Sequence, residues 1–122
     1  VVTETDLARE AGLEVGVTGA IKVNQNYMTN DKDIYAVGDA IEVFSALTRT
    51  ATKLPLAGPA QKQARAVANH IHGIPVKNTG FIGSSCIKVF DYNGASTGLT
   101  EGQINAQKLD INYDIVRVIP QD

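Results

Sequence analysis

Apolar residues in this chain fall into a few short stretches divided by polar and glycine-rich segments. Residues 34–37, Ile-Tyr-Ala-Val, run without interruption, which predicts a strand buried on both faces. Gly38 then removes the side chain where that strand would end, and Asp39 places a carboxylate there. In a parallel sheet, ligands bind beyond the carboxyl ends of the strands. A backbone that approaches a cofactor closely favours Gly, and sugar-like hydroxyls need an acceptor such as Asp. The same residues also fit a buried strand followed by a plain Gly-Asp turn.

Helical spacing is clearest at residues 59–72, where Ala60, Ala64, Val67, Ala68 and Ile71 would share a face. Pro59 suits the first turn, and Gly73 with Pro75 ends the helix. A shorter helix is predicted at residues 3–11, with Thr3 as N-cap, Glu4 and Asp6 near its positive end, Leu7 and Ala11 on one face, and Gly12 as stop. Gly16 and Gly19 mark a turn, and residues 20–23 are apolar enough for a short strand. Residues 42–53, rich in Ser, Thr and Ala, read as a loop.

Further on, residues 85–91 are strand-like, Asn93-Gly94 is a hairpin-turn signal, and residues 95–98 would pair back. Thr100 and Gln103 form a capping-box pattern that opens a helix running to Lys108. Residues 111–119 return as a strand. This β–β–α–β order is an antiparallel sheet with a helix on one face. With the earlier stretches, the fold class is α/β, followed after a boundary at residues 77–79 by part of an α+β unit.

Composition narrows the function classes. The sequence is 43% hydrophobic and 20% charged, an ordinary globular balance, enough for one modest core. Its net charge of −2, with acids and bases interspersed, points to no nucleic-acid partner and no membrane partner. No apolar run approaches the roughly 20 residues of a membrane span. One Cys excludes an intramolecular disulphide framework and fits a reducing, cytoplasmic setting. The opening Val-Val-Thr carries no initiator Met or targeting segment, as expected of an excised piece.

Several stretches in order carry a family resemblance. Thr-Asn-Asp-Lys-Asp-Ile-Tyr-Ala-Val-Gly-Asp at 29–39 resembles the second FAD-binding motif of the pyridine nucleotide–disulphide oxidoreductases. Leu-Pro-Leu-Ala-Gly-Pro-Ala-Gln-Lys-Gln-Ala-Arg at 54–65 is similar to the helix start of one branch. That branch holds CoA-disulphide reductases, NADH oxidases and NADH peroxidases. Gly-Ser-Ser-Cys-Ile-Lys-Val-Phe-Asp at 83–91 and Ala-Ser-Thr-Gly-Leu-Thr-Glu at 95–101 are similar to the start of its dimerisation domain.

The resemblance implies residues 1–76 as the C-terminal part of a Rossmann-like FAD-binding domain and 77–122 as the N-terminal half of the dimerisation domain. It implies that Asp39, approached past Gly38, holds the ribityl chain. It also implies that Ala57 donates its backbone N–H to the flavin and that Leu56 lines the ring. The intact parent would use NAD(P)H and FAD to reduce CoA disulphide, oxygen or peroxide, and would act as a homodimer.

The chain contains no Gly-x-Gly-x-x-Gly, and the family's redox-active Cys belongs to an earlier segment. The expectation is therefore a fragment, inactive alone and without bound FAD, that supplies one side of the flavin site. The alternative is a non-catalytic dimerisation or partner-binding module. Cys86, beside Ile87 and Phe90, is expected to be a core residue rather than a redox centre. His70 and His72, two apart on a helix, do not face each other, so they are expected to be solvated surface residues and no metal site. Tyr35, Tyr92 and Tyr113 need only packing roles.

Overall fold

The computed structural model describes residues 2–119; the outermost positions of both expected domains, residue 1 and residues 120–122, lie outside it. Helix α1 (Asp6–Glu10) leads into an irregular stretch ending in a 3-10 turn, Gly38–Ala40. A small hairpin follows, β1 (Val43–Phe44) with β2 (Ala51–Thr52), and then the long helix α2 (Ala57–Ile71). A second hairpin, β3 (Ser85–Val89) with β4 (Tyr92–Ser96), precedes the short helix α3 (Glu101–Ala106). The mixed helix and strand content agrees with the α/β class.

The core is built from residues 20–43. Ala20, Ile21, Tyr27, Ile41 and Val43 are buried, and Ala66, Val67, Leu54 and Phe81 pack around that cluster. Ile21 stitches it together by bridging Val15 on one side and, in parallel fashion, Ile41 on the other. The Ile21 N–H donates to the Ala40 carbonyl at 2.8 Å, and the Glu42 N–H donates to the Ile21 carbonyl at 2.9 Å. Gly16 lies under Glu42, whose carboxylate accepts from both the N–H and the hydroxyl of Thr18; a Cβ at Gly16 would collide with that carboxylate.

Several expectations need correction. Residues 34–37 form no strand buried on both faces. Tyr35 makes an isolated antiparallel bridge with Met28, and Ile34 and Val37 are each 37% exposed. A central strand needs neighbours on both edges and layers on both faces, and only the Met28 side is supplied among the described residues. Residues 20–23 likewise bridge without forming a strand. Residues 42–53 are a hairpin rather than a loop, with Val43 opposite Thr52 and Phe44 opposite Ala51. Helix α1 begins after Thr5, not Thr3, and ends at Glu10, with Leu7 exposed.

Helix α2 starts two residues earlier than its spacing suggested, and its buried face differs as well. Ala64, Ala68 and Ile71 are exposed, whereas Gln63 is the buried residue of the helix.

The β3–β4 turn falls at Phe90 and Asp91, with Phe90 at φ 53°, so Asn93-Gly94 lies inside β4. Helix α3 carries the full capping box: the Thr100 hydroxyl accepts from the Gln103 N–H, and the Gln103 side chain accepts from the Thr100 N–H. It stops at Ala106, short of Lys108. Residues 111–119 form no strand; their alternating apolar pattern has no pairing partner among the described residues.

Candidate functional site

The Gly38–Ala40 turn sits against the first two turns of α2. Gly38 has φ +81°, a left-handed conformation that an L side chain resists, and a Cβ there would lie 3.9 Å from the Ala60 Cβ. Val37 before it is extended, so the chain runs straight and then bends sharply into the turn. The Gly38 N–H donates to the Gln63 Oε1 at 2.6 Å, joining the turn to the helix. Asp39 is exposed, with its carboxylate at the surface of this turn.

Leu56 is the N-cap of α2 and Ala57 its first residue, and no side chain caps this end. A helix start leaves its first N–H groups without intrahelical acceptors. Here the Leu56 N–H is taken by the Leu54 carbonyl, the Ala60 N–H reaches the Leu56 carbonyl, and Pro59 has no N–H. Ala57 and Gly58 thus carry the uncommitted donors of the helix start among the described residues. Two peptide N–H groups at the positive end of a 15-residue helix suit an anion or a polarised carbonyl oxygen.

The structure therefore gathers Gly38, Asp39, Leu56 and Ala57 at two adjoining elements. Sequence reasoning missed two members of this neighbourhood, Gly58 and Gln63. For Gln63 the available signal was an amide lying on an otherwise alanine-rich helix, three residues after Ala60. It also missed Tyr27, a buried residue at φ 64° whose hydroxyl pKa is raised by desolvation. Its backbone is set by Asn24, whose side-chain oxygen accepts from the N–H groups of Asn26 and Met28.

Other singled-out residues lie elsewhere. Cys86 is exposed on β3 opposite Ala95, which corrects the expected core position: neither face of the hairpin is covered deeply enough to bury it. Phe90 sits in the turn and is also exposed. His72 is exposed and its Nδ1 lies 2.8 Å from the Ala68 carbonyl, but His70 is half-buried and packs edge-on to Tyr35 at a ring distance of 5.9 Å. His70 is thus a packing residue rather than a solvated one. Among the described residues no group of three or more His, Cys, Asp or Glu is arranged to hold a metal ion. No described helix is long and apolar enough to cross a membrane.

The chain is similar to several known proteins. The family model for pyridine nucleotide-disulphide oxidoreductase matches residues 1–64. The NAD(P)H sulfur oxidoreductase (CoA-dependent) of Pyrococcus abyssi is 31% identical over 112 residues, covering 92% of this chain and 25% of its own length. The crystal structure of reduced CoADR-RHD from Bacillus anthracis superposes with a TM-score of 0.81 at 47% identity, over 87% of this chain and 19% of that one. A FAD-dependent pyridine nucleotide-disulphide oxidoreductase from Desulfovibrio vulgaris superposes at 0.83 with 32% identity, over 90% of this chain and 28% of that one.

Fold and likeness together place the chain among the α/β oxidoreductases. More narrowly, it belongs to the pyridine nucleotide–disulphide oxidoreductase family. It spans about a quarter of the length of the curated relatives it matches.

Proposed function

We propose that this chain is the segment of a FAD-dependent NAD(P)H–disulphide oxidoreductase that supplies the ribityl and pyrimidine side of the flavin site. The observation that carries the reading is the packing of the Gly38–Ala40 turn onto the start of α2. That packing sets the turn that carries the exposed Asp39 against the helix whose first two amides are uncommitted. FAD would be held by these groups: Asp39 would accept from ribityl hydroxyls, Gly38 would allow the close approach, the Ala57 N–H would meet the pyrimidine edge, and Leu56 would line the ring. When bound, FAD supplies hydride acceptance from NAD(P)H and onward transfer of electrons to the acceptor. The protein's part is to position the flavin and tune its charge.

Relatives named as a CoA-dependent sulfur oxidoreductase, a coenzyme A disulfide reductase and an NADH oxidase support a sulfur compound, CoA disulphide or oxygen as the acceptor. The setting is cytoplasmic. Residues 1–76 belong to the FAD-binding domain and 77–122 to a dimerisation domain. The uncovered apolar side chains of residues 82–119 favour this second assignment, and also the alternative of a non-catalytic dimerisation or partner-binding module.

In the full-length protein, Asp39→Ala should weaken FAD retention by about 1.5–3 kcal/mol, because a charge-assisted hydrogen bond is lost. Cys86→Ala should leave turnover nearly intact. Titration of FAD into the two apoproteins checks this, and the reverse ranking would overturn the site. The 122-residue chain by itself should be colourless and should not oxidise NADH; stoichiometric FAD in the purified chain would contradict that. Light scattering on a size-exclusion peak at low micromolar concentration should give a dimer mass, since exposed strand edges with apolar faces invite pairing.

A further inference from the structure

The geometry points to Gln63 as the positioning residue that holds the Asp39 turn in place, an inference that rests on the reading of Asp39 as a flavin contact. Gln63 is 1% exposed, whereas glutamine is ordinarily a surface residue. Burying its amide is costly unless it is hydrogen-bonded, so a core role alone would favour an apolar side chain at this position. Its Oε1 instead accepts from the Gly38 N–H at 2.6 Å, across 25 positions of sequence.

That N–H opens the turn that carries Asp39. The turn closes only weakly on itself, the Ile41 N–H lying 3.5 Å from the Gly38 carbonyl. No side chain caps its start. The shorter bond to Gln63 is therefore the stronger restraint on where the turn sits, and it fixes that position relative to α2. The helix whose first amides would meet the flavin thus also sets the height of the carboxylate that would meet the ribityl chain. Because the Gly38 nitrogen is a donor, the contacting atom of Gln63 must be its oxygen. The Nε2 group is consequently left buried, with no acceptor among the described residues.

A buried amide with one committed atom and one free atom is expensive to keep for packing alone. The bond to the turn offsets part of that cost.

The test uses the full-length holoenzyme, its apoprotein, and the variants Asp39→Ala, Gln63→Met, Gln63→Glu and the Asp39→Ala/Gln63→Met pair. Methionine keeps the length and volume of the side chain and removes the strong acceptor, while glutamate keeps an acceptor oxygen. FAD dissociation constants and apoprotein melting temperatures are the readouts. Gln63→Met should weaken FAD binding about tenfold, the size of one lost buried hydrogen bond. In the Asp39→Ala background the same change should add less than about twofold, since it acts through the residue already removed. Gln63→Glu should recover affinity at a pH where its buried carboxyl is protonated and lose it where the carboxylate forms.

Full multiplication of the two single losses would overturn the inference, as would a Gln63→Met protein that melts lower but binds FAD normally. A Gln63→Glu protein that binds FAD as weakly as Gln63→Met even where its buried carboxyl is protonated would overturn it too. If Asp39→Ala itself leaves FAD affinity unchanged, the flavin-contact reading falls first, visible without any Gln63 variant.

Discussion

Residues 2–81 and 82–119 solve opposite halves of the folding problem. Apart from the 15-residue helix α2, the first region has feeble local structure: two-residue strands, isolated bridges and a five-residue helix. Yet every buried hydrophobic residue described lies there. The second has the better-formed hairpin, five residue pairs in register, and the helix with the complete capping box. None of its described residues is buried. Regular elements arise from turn and cap chemistry that acts over a few residues, whereas a core requires layers brought together from distant sequence. The molecule shows that the two do not have to coincide.

The sharpest way to break this contrast is the same substitution in each region. Ile41→Ala, at a residue 1% exposed, should cost about 2–5 kcal/mol of chain stability. Ile87→Ala, at a residue 64% exposed, should cost less than about 0.5 kcal/mol. Urea denaturation of both variants measures the difference, and equal costs would mean the second region has a core of its own.

A smaller effect probes the close contact that supports the first region. Gly16→Ala should destabilise by about 1 kcal/mol, because the new Cβ swings the flexible Glu42 carboxylate away from Thr18. Glu42→Gln should be milder, since an amide oxygen still accepts from Thr18. Melting temperatures of the two variants check the order.

In the second region, Thr100→Ala should cost about 1 kcal/mol of helix stability by removing the cap. That loss should appear as faster amide exchange in α3 while the global urea midpoint hardly moves. A matching fall in global stability would join the two regions into one cooperative unit.

The smallest effect is a pH dependence of the first region. Burial raises the Tyr27 pKa, so the folded chain holds that proton more tightly than the unfolded chain does. This contribution is fully present below about pH 10, the unfolded value, and is lost as pH rises through the folded value. Stability should therefore fall on alkaline titration, and Tyr27→Phe should flatten part of that fall. A variant as alkali-sensitive as the parent would assign the titration to another group.

The sequence by itself determined whatever depends on near neighbours. Thr100 and Gln103 announced the start of α3, Gly12 and Gly73 the ends of two helices, and Gly38-Asp39 the bend where the candidate site lies. The order of motifs along residues 29–101 indicated the family. What the tertiary structure decided is which faces are covered. The run at residues 34–37 looked buried because apolar side chains carry no record of whether a partner layer exists. Residues 111–119 looked like a strand for the same reason, though no edge accepts them among the described residues. Gln63 carried no signal of its own burial, because only the fold places the Gly38 N–H beside it. Short-range hydrogen bonds are written into adjacent residues, whereas burial is a property of what else is present.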